Sequence, residues 1–175
     1  MVRSGKTAEE KKAAIFRERA LKLAASTEEA GEGAGVVVFA LGGQRYALEF
    51  SCVKEVLPPG EITPLPCTPA FLSGVINLRG RIVPVLDLKT VFKIPGGRPT
   101  RPSVLVMTDG DGATGLLVDE IEGIAAIRAE DLHPPLPAAA GGAFLYAAGI
   151  YGGDLTVLDG EKILKDRGLI VDEEP

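Results

Sequence analysis

Three aspartates each follow a short apolar run and are the first candidates for acid–base or metal chemistry: Asp87, Asp119 and Asp159. Carboxylates that gather at strand ends can bind a metal ion or act as a general acid and base. Asp87 and Asp159, however, occupy the same place in two similar stretches, each before a short segment of helical character. Such positions are typical of helix N-caps. The pattern therefore favours capping, and a carboxylate site that uses Asp87 and Asp119 is the alternative.

The remaining reactive side chains form no complete catalytic set. The one histidine, His133, has only Asp131 nearby in sequence as an orienting carboxylate, and we expect it to be a surface loop residue. No serine lies in the context of a nucleophile elbow. The stretch 109–112 (Asp-Gly-Asp-Gly) lacks the third oxygen ligand and the final glutamate of a calcium loop, and it predicts a hairpin turn. We therefore expect no enzyme activity, no cofactor and no metal.

Composition narrows the class of protein further. The chain has 175 residues, of which 46% are hydrophobic, and a formal net charge of −5. This length fits one domain or two small subdomains with a shared core, and the acidic balance is the opposite of what nucleic-acid binding requires. No run reaches the ~20 apolar residues of a membrane span, so we expect a cytoplasmic protein. Cys52 and Cys67 are expected to be free thiols, with a disulfide as the alternative.

The N-terminal part differs from the rest of the chain in net charge and in the spacing of its apolar residues. Residues 1–30 carry a charge of about +2 and the remainder about −7. Residues 7–30 predict a helix, because apolar residues recur at spacings of three and four. This helix either docks on the rest of the chain or binds a partner. We divide the chain into a helical extension with a flexible linker (1–35), a folded domain (36–170) and a C-terminal tail (171–175).

After Gly35 the sequence is typical of short β-strands separated by glycine, proline and aspartate. We predict four hairpins, with strands at 36–41 and 46–50, 75–78 and 81–86, 104–107 and 115–118, and 147–150 and 154–158. Short helical turns are predicted at 52–56, 88–92 and 160–165.

A long-period repeat gives the most information about the fold. Ala47–Val53 is similar to Gly115–Ile121, sixty-eight residues later, with the apolar positions in step. The two copies continue with Phe71–Val75 and Tyr146–Ile150, and each ends in a Val-Leu-Asp sequence. The turn inside the second copy is three residues shorter. Two copies of a small β unit predict two small barrels, because closure removes exposed strand edges. Side by side, they would leave a groove between them.

The segment from Phe71 to Leu88 contains the most unusual charge. Its Asn-Leu-Arg-Gly turn places Arg79 between two apolar strands. A guanidinium there can bind a carboxylate on a partner with several donors. The alternative is an intramolecular salt bridge or a solvated turn residue.

This segment resembles the signature stretch of CheW-like domains, the family of the chemotaxis coupling protein CheW. The resemblance extends from about Val36 to Leu164 in the right order and includes the stretches 39–48, 55–57, 62–66, 69–72, 115–119 and 121–124. It implies a mainly β fold of two SH3-like five-stranded barrels.

The same resemblance implies a function. Family members are non-catalytic adaptors that bind the regulatory domain of a CheA-type histidine kinase and the cytoplasmic tip of chemoreceptors, in arrays at the inner face of the membrane. By matching positions, the residues implicated in receptor or kinase coupling are Val53, Glu55, Gly74, Arg79, Gly115 and Ile121. Arg79 and Glu55 are the strongest candidates, because packing alone would explain their charges poorly.

Three alternatives remain at this stage. The chain is a scaffold of a chemosensory pathway with a non-flagellar output, or a regulatory domain separated from its kinase. The third alternative, from another class, is a small β-barrel ligand-binding or hydrolytic domain that uses Asp87 and Asp119. A closed pocket that joins these two carboxylates to a cation would favour it.

Overall fold

The structure is a computed structural model. It describes residues 33–58, 60, 62–97, 99, 101–108, 110, 112–136 and 141–169. The helix predicted at 7–30 lies outside these residues. The C-terminal tail does as well.

Eleven strands account for most of the described chain. They are β1 Ala34–Leu41, β2 Gln44–Glu49, β3 Val53–Leu57, β4 Leu72–Leu78, β5 Arg81–Asp87, β6 Ser103–Thr108, β7 Ala113–Val118, β8 Glu120–Ile127, β9 Leu132–His133, β10 Ala147–Tyr151 and β11 Leu155–Leu158. Two short helices follow β5 and β11, namely α1 Leu88–Phe92 and α2 Gly160–Lys165. Single 3₁₀ segments lie at Ala129–Asp131 and Gly141–Tyr146.

The strands form two sheets with the same internal order. Sheet I runs β8-β1-β2-β11-β10-β9, and sheet II runs β3-β6-β7-β5-β4. Each contains one parallel pair at the equivalent place, β2 with β11 and β5 with β7, and the other pairs are antiparallel. The predicted mainly β, two-barrel fold is confirmed, and the two sheets are related in the way that the repeat indicates.

The expectation that each repeat copy forms its own barrel is wrong. Sheet I takes β1 and β2 from the first copy and β8 to β11 from the second, whereas sheet II takes β3 to β5 from the first and β6 and β7 from the second. The two copies therefore exchange strands. A sequence pattern shows which residues face a core, but it does not show which strand lies alongside.

Three apolar clusters hold the sheets together. One lies within sheet I, around Val36 and Val38, and one within sheet II, around Val104 and Val106. The largest, which we call the central cluster, contains residues from both sheets and includes Phe39, Leu105 and Phe92. Strands β1 and β6 are therefore buried on both faces, because alternate residues enter different clusters. The space between the sheets is filled by side chains, so a partner would reach only its rim.

The predicted helical turn at 52–56 is also wrong. Residues Val53–Leu57 form β3, which pairs with β6 from Val53↔Met107 to Leu57↔Val104. Strand β8, which was not predicted, pairs along most of β1 despite its two glutamates. His133 is exposed, as expected, but it lies in the short strand β9 opposite Ile150 rather than in a loop.

Candidate functional site

Arg79 occupies an unfavourable backbone conformation at the tip of the β4–β5 hairpin. Leu78 pairs with Arg81, so Arg79 and Gly80 form a two-residue turn, with φ of 53° and 84°. Positive φ at both positions is what a type I′ turn requires, and Asn-Gly or Gly-Gly is the usual choice. A residue with a β-carbon in this region costs about 1–2 kcal/mol.

The same turn elsewhere in the chain is built without an arginine. Between β1 and β2, Gly42 and Gly43 have φ of 57° and 83°, nearly the values of Arg79 and Gly80. The turn therefore does not need a side chain at its first position. Arg79 is present although this backbone conformation favours glycine, and this observation makes it a candidate functional residue.

The structure brings Arg79 and Glu55 together. Arg79 Nη2 donates to Glu55 Oε1 at 3.0 Å, and the two side chains are 64% and 14% exposed. Glu55 lies on β3 and Arg79 at the end of β4, which are the two edge strands of sheet II. The ion pair thus joins the edges where the sheet closes. It holds the guanidinium at the surface. The geometry is therefore compatible both with an intramolecular salt bridge and with binding of a partner carboxylate by Arg79.

Gly74 is buried, and its role in the fold is clear. It has φ of 140°, and a β-carbon there would lie 2.2 Å from the carbonyl oxygen of Thr63. Thr63 exchanges two 2.9 Å backbone hydrogen bonds with Val75 and so covers the edge of β4. Gly74 therefore allows the crossing chain to approach the hairpin that carries Arg79. Any effect of Gly74 on coupling would act through this packing.

The three other predicted site residues lie in or against cores. Gly115 is buried on β7, where a β-carbon would lie 2.8 Å from Val104 Cγ1. Val53 and Ile121 are half-buried and pack on the central cluster. They occupy equivalent positions of the repeat, Val53 as the first residue of β3 and Ile121 as the second residue of β8. A coupling role for these three stays a prediction.

Asp87 and Asp159 are N-caps, as predicted. Asp87 accepts a 2.9 Å hydrogen bond from the backbone N–H of Lys89, and Asp159 accepts one of 3.2 Å from that of Lys162. Capping a helix of this length satisfies donors that would otherwise lack partners. Both carboxylates thus have a role in the fold.

Asp119 connects the two sheets. It follows β7 of sheet II and precedes β8 of sheet I. Its Oδ2 accepts from the N–H of Gly42 at 2.8 Å, and its Oδ1 lies 2.7 Å from Lys89 Nζ. Lys89 also donates to the carbonyl of Gly97 at 2.7 Å. Lys89 therefore contacts Asp87 through its backbone N–H and Asp119 through its ammonium group. Each carboxylate accepts a hydrogen bond from the main chain, which favours a structural role over an acid–base one.

Asp119→Asn should lower the free energy of unfolding by about 2 kcal/mol. The change keeps the size of the side chain, but it leaves the Lys89 ammonium, whose side chain is 12% exposed, without its carboxylate. Urea denaturation measures the difference. The control is Glu120→Gln next to it, which removes the 3.6 Å pair with Arg101. Both partners of that pair are well exposed, so the change should stay within about 0.5 kcal/mol. Equal effects of the two variants would contradict a structural role for the buried pair.

Tyr146 and Asp166 form a second contact near the C-terminal end. The Tyr146 hydroxyl donates to Asp166 Oδ2 at 2.6 Å, beside an open depression next to the exposed Leu145. Burial, and then this hydrogen bond, raise the pKa of Tyr146 to about 12. The hydrogen bonds from Tyr146 and from the Gly168 N–H lower the pKa of Asp166. Both groups therefore keep their neutral-pH forms over a wider range than usual.

An alkaline spectrophotometric titration should show Tyr146 ionising near pH 12, with Tyr146→Phe used to identify its signal. Because its pKa is raised above the ordinary 10, Tyr146 stabilises the fold below that pH, and the stabilisation is lost as the pH rises through about 12. Asp166 has a lowered pKa, so it stabilises the fold above the ordinary pKa of an aspartate. This stabilisation is lost when the pH falls through the lowered pKa. Asp166→Ala should lower the Tyr146 pKa only in part, because burial is the larger cause. A midpoint unchanged by Asp166→Ala would contradict the contact.

The described part of the chain gives little support for a metal site, a disulfide or a membrane-spanning helix. No group of three or more histidine, cysteine, aspartate and glutamate side chains lies close enough there to hold a metal ion. Cys52 and Cys67 are free thiols, half-buried and exposed respectively. Among the described helices, none has both the length and the apolar character needed to cross a membrane.

Two interleaved five-stranded sheets, with β9 added to one and a charged hairpin tip on the other, define a two-barrel β domain. The chain belongs to the CheW-like domain family, whose model matches residues 35–168. It is 33% identical over 115 residues to the chemotaxis protein CheW of Klebsiella aerogenes, which covers 64% of this chain and 69% of that protein. The protein FrzA of Myxococcus xanthus is 36% identical over 98 residues, or 55% of this chain and 61% of FrzA.

A solved structure supports the same family. The scaffolding protein TtCheW from Thermoanaerobacter tengcongensis superposes with a TM-score of 0.66 at 30% identity, over 72% of this chain and 84% of that one. The fold and family expected from the sequence are therefore confirmed.

Proposed function

We propose that this chain is a non-catalytic adaptor that couples chemoreceptors to a CheA-type histidine kinase by protein–protein binding. The observation that carries the proposal is Arg79, a charged side chain held at a hairpin tip where glycine would cost less. Natural sequences retain such backbone strain mainly at functional sites. The relatives named above, a chemotaxis protein and a scaffolding protein, support an adaptor rather than an enzyme.

Arg79 would bind a carboxylate of a partner. Its guanidinium has five N–H donors, and Glu55 accepts from Nη2. Since the side chain is 64% exposed, the group is accessible while Glu55 fixes its direction. A preoriented guanidinium loses less conformational entropy on binding, so it adds specificity as well as affinity.

The partners in this proposal are the regulatory domain of the kinase and the cytoplasmic tip of a chemoreceptor. The adaptor would act in the cytoplasm and join receptor arrays at the inner face of the membrane through these partners. The same binding chemistry would serve a chemosensory pathway with a non-flagellar output, and the similarity to FrzA keeps that second candidate open.

Reconstitution tests the proposal directly. Purified chain is mixed with the kinase regulatory domain and with a receptor cytoplasmic fragment from the same organism, and complexes are measured by size-exclusion chromatography with light scattering. We expect binary complexes with each protein and a ternary complex with both. Absence of binding to either would overturn the proposal. A substrate turnover abolished by Asp87→Asn or Asp119→Asn would favour the enzyme alternative instead.

A further inference from the structure

The outer face of the β4–β5 hairpin exposes more apolar surface than the fold explains. Ile82 is 67% exposed, although it lies in a strand whose neighbours Val83 and Val85 are fully buried. In the hairpin register Ile82 lies opposite Asn77, and Val75 lies opposite Pro84. Because alternate residues of a strand share a face, these four side chains lie together on the side opposite to Ile76 and Val83.

Among the described residues, Asn77 has a structural role on this face, because its Oδ1 accepts a 2.9 Å hydrogen bond from the N–H of Gly80, but the apolar side chains Val75 and Ile82 have none. Ile76 and Val83 belong to the cluster within sheet II, but neither Val75 nor Ile82 is among the side chains that pack on the three apolar clusters. The repeat supports the same conclusion, because the β10–β11 turn of the second copy is three residues shorter than the corresponding part of the first. The extra length in the first copy extends the hairpin and contains Ile82. Duplication of the unit therefore does not account for it.

The charges beside this face indicate what would bind there. Arg79 and Arg81 flank Gly80 at the tip, in a chain with a net charge of −5. Although Glu55 pairs with Arg79, the two arginines leave the hairpin tip with a net positive charge next to an apolar strip. Complementarity requires a partner surface with an apolar side chain beside one or more carboxylates.

The strand edge next to this face is already occupied. Thr63 takes both backbone hydrogen bonds of Val75 at the edge of β4, each 2.9 Å long. An added partner strand could not pair at that position. The partner must therefore contact the side chains of the hairpin face.

We propose that Val75, Asn77, Ile82 and Pro84, bounded by Arg79, form a docking face for a partner protein that presents an apolar side chain next to a carboxylate. Ile82 is its apolar anchor, and Arg79 pairs with the carboxylate. This inference rests on the proposed adaptor function and identifies the part of the surface that would perform it. Exposed anchors of this kind contribute most of the affinity when they become buried at the centre of an interface.

Isothermal titration of wild type and Ile82→Glu with the kinase regulatory domain and with the receptor fragment tests the docking face. We expect Ile82→Glu to weaken binding of one of the two proteins by about tenfold or more, and Ile82→Leu to retain it. Leu145→Glu is the matched control, because Leu145 is 73% exposed and lies between β9 and β10 of sheet I, in the other part of the fold. It should bind that same protein like wild type. Circular dichroism and thermal unfolding confirm that each variant is folded.

The outcomes separate the two proposals. Wild type that binds neither protein overturns the adaptor function, and the docking face with it. Wild type that binds, with Ile82→Glu binding both proteins equally well, overturns only the docking face. Equal losses for Ile82→Glu and Leu145→Glu toward the same protein also overturn it, because the effect would then be one of added charge rather than of position.

Discussion

Gly74→Ala is expected to lower the free energy of unfolding by about 3 kcal/mol or more, the largest effect of any single change considered for this chain. Two costs combine at this position. A residue with a β-carbon is strained at φ of 140°, and that β-carbon would lie 2.2 Å from the Thr63 carbonyl oxygen, which is backbone and cannot rotate away. Urea denaturation measures the loss. Amide hydrogen exchange should show reduced protection at Thr63 and Val75, whose hydrogen bonds would break first.

Gly43→Ala provides the control for backbone strain alone. Gly43 also has a positive φ, 83°, but a β-carbon there would meet no atom within 4 Å. We expect a loss of about 1 kcal/mol at this position. If the two alanine variants were equally stable, the contact between Gly74 and Thr63 would not be important for the fold.

The Gly74 variant also tests how this residue influences coupling. Gly74 is buried and lies on the strand that leads to the Arg79 turn. If it acts by positioning the hairpin, stability and partner binding should fall together, and both should recover with a stabilising osmolyte. A variant that stays fully stable but does not bind would instead indicate that the partner contacts this region directly.

Local chemistry allowed the hairpins and helix caps to be predicted. Gly42-Gly43, Arg79-Gly80 and Gly152-Gly153 each adopt positive φ, and glycine-rich pairs between apolar runs are strong turn signals. Asp87 and Asp159 cap helices because a carboxylate before a helical turn finds free backbone N–H groups. These features depend on a few neighbouring residues, so the sequence contains the necessary information.

Features that depend on distant strands could not be predicted in the same way. Strand β3 was predicted to be a short helical turn. Lys54 and Glu55 interrupt the apolar alternation of a strand there, but pairing with β6 makes it a strand. Strand β8 was missed for the same reason, since Glu120 and Glu122 lie in it while β1 provides its partner. The exchange of strands between the two copies is likewise a property of pairing, and the repeat is compatible with either arrangement.

The residues of the candidate site could likewise be predicted only in part from the sequence. Arg79 and Glu55 stood out in the sequence by charge, but only the fold shows that they join the two edges of sheet II. Ile82 did not stand out at all, because isoleucine in an apolar run is normally a core residue. Its exposure follows from the length of the hairpin, which carries it beyond the core of sheet II.

Arg79→Asn is expected to separate binding from folding. Asn-Gly is the preferred pair in a type I′ turn, so the change relieves about 1 kcal/mol of backbone strain. Loss of the ion pair leaves the Glu55 carboxylate, which is only 14% exposed, without its cation, and this costs about 2 kcal/mol. The free energy of unfolding should therefore fall by about 1 kcal/mol. Binding should weaken about ten- to a hundredfold, because a charge-assisted hydrogen bond to a partner carboxylate contributes about 1.5–3 kcal/mol.

Glu55→Gln decides whether Arg79 acts on the partner or only within the chain. If the guanidinium binds a partner carboxylate, Glu55→Gln leaves it on its hairpin and reduces affinity only a few-fold, through a less fixed orientation. If the intramolecular pair is the whole role of Arg79, Glu55→Gln and Arg79→Asn should weaken binding equally. Titration of both variants against the kinase regulatory domain and the receptor fragment measures this difference. Wild-type affinity of Arg79→Asn for both proteins would show that the strained arginine is not a contact residue.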